Sequence, residues 1–296
     1  MRINNNIPAL NTHRMLGLTN SSLEKTLERL SSGRRINRAS DDAAGLAISQ
    51  KMEAQVRGLR QASRNSLDGI SLIQTAEGAL NEVHAMLQRM RELAVQGANQ
   101  VYEKDDLKAI ADELKELTEQ IDKIARETTF NGIFLLKGEL YSGDTEGKLR
   151  LQIGANEDQY IDVDMKNINI TVSEDDEGLK IINEIIVRDG SGFKVVDGEQ
   201  LDSSKFSKAI TIYDNAVKLV ASYRSQLGAY QNRLEHTIKN VDNTAENLTA
   251  AQSRIEDADM ALEMSEFVKL NILQQAGVAM LSQANQLPKT MLQLLQ

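Results

Sequence analysis

The chain has 296 residues, with 34 basic and 43 acidic side chains, two prolines, no cysteine and no tryptophan. The missing cysteine excludes disulfide staples, thiolate metal sites and a cysteine nucleophile. The length allows one large domain or two to three small ones.

The two prolines, Pro8 and Pro288, stand near opposite ends. A proline inside a helix costs about 3 kcal/mol, so the long stretch between them permits very long unbroken helices. The opening Met1-Arg-Ile-Asn-Asn-Asn-Ile-Pro has no basic stretch followed by an apolar core, so no secretory signal peptide is expected. No apolar run approaches the ~18 residues that span a bilayer, and no membrane insertion is expected.

Leu16, Leu23, Leu27 and Leu30 step by helical intervals, with Ile3, Ile7 and Leu10 as an earlier stripe. This first helix should stop at Ser31-Ser32-Gly33, before a basic loop holding Arg34, Arg35 and Arg38. Ser40, Asp41 and Asp42 then supply caps and first-turn negative charge for a second helix. Its apolar positions, from Met52 and Val56 to Met90 and Ala94, carry it to about Gly97. At 1.5 Å per residue it would be roughly 80 Å long. A third helix is predicted over 105–127. There Leu107, Ile110, Leu114, Leu117, Ile121 and Ile124 form a heptad seam. The short connection at 98–104 makes helices two and three antiparallel neighbours.

The period then changes. Phe130-Asn131-Gly132 signals a turn. Leu149, Leu151 and Ile153 alternate with polar residues, as do Ile161, Val163 and Met165, which predicts a half-exposed hairpin. Ile168, Ile170 and Val172 offer a further strand, and the remainder to about 202 reads as irregular or β. Residues 139–205 hold 16 acidic and 7 basic side chains, so this middle carries the whole charge excess and is expected to face water. From Ser204 to the end the helical period returns, with two eleven-residue blocks between Leu219 and Val241 that suit a nearly straight helix.

The fold expected is mainly α: a long antiparallel helical bundle or coiled-coil rod, with a small β-hairpin segment and paired terminal helices. A lone terminal pair buries little area against its ordering entropy. It needs partners, and copies of itself are the simplest.

Several segments together resemble bacterial flagellin. They are Arg29-Leu-Ser-Ser-Gly-Arg-Arg-Ile-Asn, Ser40-Asp-Asp-Ala-Ala-Gly-Leu-Ala-Ile, Gln61-Ala-Ser-Arg-Asn-Ser-Leu-Asp-Gly-Ile and Leu87-Gln-Arg-Met-Arg-Glu-Leu-Ala-Val-Gln. Phe130-Asn-Gly, Gln152-Ile-Gly-Ala-Asn, Ser253-Arg-Ile-Glu-Asp-Ala-Asp, Ile272-Leu-Gln-Gln-Ala-Gly and Ala284-Asn-Gln-Leu-Pro continue the likeness in order. It covers roughly 1–165 and 205–296, and the large outer domains of many flagellins are absent from the short middle.

The resemblance implies a terminal helical domain, 1–40 with 258–296, lining a filament core. It implies a helical rod domain, 41–140 with 205–257, and a short acidic outward segment, 141–204. It implies a secreted, extracellular filament subunit that serves swimming and leaves through the flagellum's own type III channel. The partners implied are copies of itself, a secretion chaperone at the C-terminal helix, and filament cap and hook-junction proteins. The animal flagellin-sensing Toll-like receptor is a further implied partner, with Gln88, Arg89, Leu93 and Glu113 at the matching positions. Self-assembly falls to the terminal stripes: Ile3, Ile7, Leu10, Leu273, Met280, Leu281, Leu287, Leu292 and Leu295. Arg34 and Arg35 with Asp41 and Asp42 are candidates for charge pairing between subunits, against a plainer reading as solvated charges and capping aspartates.

Other chemistry finds little support. His13, His84 and His236 lie on separate stretches without a zinc pattern. Asp175-Asp176-Glu177-Gly178 lacks calcium-loop spacing. The arginine cluster has no aromatic interleaving, so no nucleic acid is expected. No cofactor, metal or catalytic residue is expected, and no enzyme activity. Asn20, Asn169 and Asn247 head glycosylation triplets read as chance, and Ser173, Ser191, Ser203 and Ser204 are weak modification candidates. The alternatives left open are a hook–filament junction protein and a soluble coiled-coil adaptor.

Overall fold

The computed structural model describes residues 6–140, 148–172, 178–189, 192–196 and 202–294. The order is α1 (Ile7–Ser32), α2 (Ala43–Gly97), α3 (Lys104–Glu127), β1 (Thr129–Phe130), β2 (Ile133–Phe134), β3 (Lys148–Gln152) and β4 (Tyr160–Asp164). It continues with β5 (Ile186–Asp189), β6 (Gly192–Val195), α4 (Ser203–Glu256) and α5 (Met260–Leu294). Mainly α with small antiparallel strand pairs is therefore the observed class. Two compact units divide the chain, 58–243 and 1–57 with 244–296, and the dividing lines fall inside α2 and α4.

In the unit 58–243, three helices bury their stripes in one core. Ile73, Leu80, Val83, Leu87 and Met90 come from α2, Leu114 and Ile121 from α3, and Phe206, Tyr213, Val220, Leu227 and Leu234 from α4. Ion pairs Arg91–Asp214 at 2.5 Å and Glu77–Arg224 at 3.8 Å set α2 and α4 antiparallel. Gly97 ends α2 where the Phe206 ring lies, and a Cβ there would come within 2.5 Å of it.

The middle segment docks on that core. Val163, Met165, Ile168, Ile170, Leu179, Ile181, Ile185 and Ile186 join the same apolar cluster. The β3–β4 hairpin pairs Leu149 with Val163 and Leu151 with Ile161. It rests on α2 at two glycines, since a Cβ on Gly58 or Gly69 would meet Ala155 or Leu151. Asn65 Nδ2 donates to the Gln152 carbonyl at 3.2 Å beside them. Arg150, on the other face, pairs with Asp162 at 3.2 Å and lies over the Tyr160 ring. β1 and β2 turn through Asn131 and Gly132 with φ of 50° and 80°, a left-handed pair suited to asparagine and glycine.

Two local expectations change. Ile168, Ile170 and Val172 do not form a strand of their own. They are buried among isolated bridges, Lys137 with Asn169 and Val172 with Leu179, because burial on the helices replaces ladder pairing. The C-terminal helix is not continuous either. It breaks at 257–259, where Asp259 Oδ1 accepts from the amides of Ala261 (3.0 Å) and Leu262 (3.3 Å) and so caps α5.

Candidate assembly surface

In the other unit, α1 and α5 pair antiparallel. Asn6 caps α1 with its Oδ1, accepting from the Ala9 amide at 3.3 Å, while its Nδ2 donates to the Ala284 carbonyl at 2.8 Å. At the far end Arg29 pairs with Glu263 at 3.2 Å. Gly33, at φ 71°, closes α1 with its amide on the Arg29 carbonyl.

The pair covers little of itself. Ile7 and Leu10 are 56% and 65% exposed, and Leu273 and Met280 are 48% and 63% exposed. Leu281 is half-buried. Met15, Leu18, Leu262, Val268, Ile272 and Val278 add to the exposed apolar area. A furrow between the helices is lined by Met15, Leu16, Leu273, Gly277 and Met280. Ile3 and Leu295 lie outside the described residues, as do the side chains of Leu287 and Leu292. Ser173 and Ser191 also lie outside them, while Ser203 and Ser204 open α4 beside Asp202.

The charged loop has several partners within its own chain. Arg34 pairs with Glu256 at 2.6 Å, and the Arg35 guanidinium donates to the Ile255 carbonyl at 2.6 Å. Asp41 accepts from the amides of Arg38 and Asn37 at 3.0 and 3.3 Å. The Arg38 amide chiefly holds its carboxyl below the usual range. Asp42 accepts from the Gly45 amide at 2.8 Å and caps α2. Asp42 is thus a cap, as the plainer reading has it, whereas Asp41 ties the loop's own amides together and caps no helix.

On α2, Gln88 and Arg89 are exposed, and Arg89 pairs with Glu113 of α3 at 2.9 Å. That pair raises the Arg89 pKa above its ordinary value. Leu93 differs from its expected surface role. It is 2% exposed and belongs to the core, because it continues the inward stripe of Met86 and Met90. His84 meets Gln88 at 3.0 Å, and its Nδ1 is buried without a hydrogen-bond partner. Among the described residues no helix is long and apolar enough to cross a membrane. Nor do three His, Cys, Asp or Glu side chains gather there in a metal-holding group.

Residues 3–140 match the bacterial flagellin N-terminal helical region, and residues 210–295 match the bacterial flagellin C-terminal helical region. The chain belongs to the bacterial flagellin family. It is 51% identical over 295 residues to a flagellin of Halalkalibacterium halodurans and 51% identical over 305 residues to a flagellin of Bacillus subtilis, with 100% of each chain covered. A flagellar filament 33 kDa core protein of Treponema phagedenis is 44% identical over 303 residues, again with 100% of both covered. The fold is also that of a protein described as flagellar hook-associated, from Vibrio parahaemolyticus. That likeness has a TM-score of 0.56 and 16% identity over 73% of this chain and 100% of the other. As a flagellin of the short kind, without large outer domains, the chain is a structural subunit of the extracellular flagellar filament that serves motility.

Proposed function

We propose that the α1–α5 pair is the polymerising element of this subunit. The observation that carries this reading is the apolar area both helices leave exposed, at Ile7, Leu10, Leu273 and Met280. Burial of such area contributes about 25 cal/mol per Å², less the ordering costs of association. A contact repeated head-to-tail without closing a ring makes an open helix. Moderate contacts, many times over, then hold a stiff polymer. The terminal domain, 1–40 with 258–296, lines the filament core; 41–140 with 205–257 packs around it, and 141–204 faces outward. The role is mechanical and not enzymatic.

The same exposed area calls for cover before export, which a secretion chaperone on α5 would supply. Cap and hook-junction proteins would meet the same terminal helices at the filament's ends. Recognition of the free monomer by the animal flagellin-sensing receptor would rest on Gln88, Arg89 and Glu113, with the buried Leu93 shaping the helix beneath them. An Arg89→Ala monomer should signal less than the natural chain, and equal signalling removes that part of the reading.

Deleting residues 1–40, or the last 38, should leave a folded protein by circular dichroism that forms no filaments. Electron microscopy showing normal filaments from either truncation would refute the terminal-helix reading.

A further inference from the structure

Glu256, the last residue of α4, is 6% exposed. A buried carboxylate persists only when its partners replace the lost water. Here one oxygen lies 2.6 Å from Arg34 Nη1. The other accepts from the Ser49 hydroxyl and from Gln252 Nε2 at 3.2 Å. The main chain of the same residue is also engaged, its carbonyl accepting from the amides of Arg35 at 2.6 Å and Ile36 at 3.4 Å. Beside it the Ala258 amide donates to the Gly33 carbonyl at 3.0 Å, and Ile36 is buried. One residue thus gathers the loop after α1, the first part of α2, the end of α4 and the joint that leads into α5.

We infer that Glu256 is a positioning residue for assembly: it locks the 33–42 loop onto the α4–α5 joint and so fixes how the α1–α5 pair leaves that joint. This rests on the terminal-pair reading. A pair on a loose root has orientations that every incoming subunit surrenders on binding, and preorganisation removes that cost. Glu256 touches no neighbouring copy in this scheme. It acts through the helices it holds.

Of the charged groups around it, the two loop arginines favour an anion and the neighbouring aspartate opposes it. Arg34 and Arg35 come from the loop, Asp257 follows on the joint, and Arg29 with Glu263 form a separate pair on α1 and α5. The Ser49 hydroxyl chiefly lowers the Glu256 pKa against the opposing effect of burial, with Gln252 and Arg34 adding to it. A depressed carboxyl pKa means the clasp is complete at neutral pH and is lost as pH falls through the folded value.

The test uses full-length Glu256→Gln, sedimented across a concentration series at pH 7. The critical concentration should rise about tenfold or more, since a charge-assisted pair is lost. Amide exchange of the variant monomer should show Arg35, Ile36 and Ala258 losing protection while Leu80 and Leu114 keep theirs. The acid-driven rise in critical concentration, as pH falls below the ordinary glutamate range, should be shallower in the variant than in the natural chain. A folded Glu256→Gln that assembles within twofold of the natural chain, with unchanged protection at the joint, overturns the inference. Should that variant fail to fold, Ser49→Ala keeps the charge and removes one donor. It should raise the critical concentration several-fold, and natural assembly by Ser49→Ala overturns the inference equally. Failure here is separable from failure of the terminal-pair reading, which only filament formation by a truncated chain would bring about.

Discussion

Helices α1 and α3 are of similar length and are treated oppositely. Over its 26 residues α1 buries only Thr26, whereas α3, with 24 residues, buries Leu107, Ile110, Ala111, Leu114, Thr118, Ile121 and Ala125. Both have leucines at helical intervals, although the apolar stripe of α3 is the more sharply segregated of the two. The difference lies in what receives the stripe. That of α3 meets α2, α4 and the docked middle segment, and that of α1 meets a single helix. An amphipathic pattern therefore states that a helix wants a partner, without stating that its own chain provides one.

Matched truncations sharpen that contrast. Leu114→Ala should cost the monomer about 2–5 kcal/mol in urea unfolding, as expected for a fully buried leucine. A smaller but clear loss, about 1–3 kcal/mol, is expected for Gly97→Ala, because a Cβ there runs into the Phe206 ring. Removing the α2 cap with Asp42→Ala should cost about 1 kcal/mol. Leu10→Ala, at the other extreme, should move monomer stability by less than about 0.5 kcal/mol while raising the critical concentration for assembly. If Leu10→Ala destabilised the monomer as much as Leu114→Ala, the two helices would not differ as described.

A titration follows the inner region alone. Burial pushes the Tyr213 hydroxyl, which accepts from Asn183 Nδ2 at 3.0 Å, up to about 12. Its neutral form is favoured in the folded chain. The stabilisation is complete below the ordinary tyrosine range and is lost as pH rises from about 10 toward the folded value. Absorbance of the tyrosinate should show Tyr213 lagging behind the ordinary range, together with Tyr223, whose pKa burial also raises.

Legibility in the sequence followed the same division. The limits of α2 and α3 and the β3–β4 hairpin could be read from caps, turn residues and apolar spacing that lie close together in the chain. The break at 257–259 could not, since neither glycine nor proline marks it. Its signal is Asp259, a capping residue standing inside a continuous helical pattern. Leu93 was legible by its spacing from Met86 and Met90, although the family likeness drew attention to it as a surface residue. Ile168, Ile170 and Val172 carry strand alternation, yet their burial comes from helices distant in sequence, which local pattern does not encode. Glu256 gave no local sign at all. Its meaning comes from Ser49 and Arg34, more than 200 positions away.

Asn6 has one further consequence, for the time at which α1 becomes complete. Its amide bond to Ala284 links positions 278 residues apart. A ribosome adding roughly 5–20 residues per second makes one about a quarter of a minute to a minute before the other. Every long-range contact of residues 58–243 can close in that interval. The first helix to emerge is thus among the last to be finished, and a nascent chain carries the apolar stripe of α1 unmatched for nearly the whole of its synthesis.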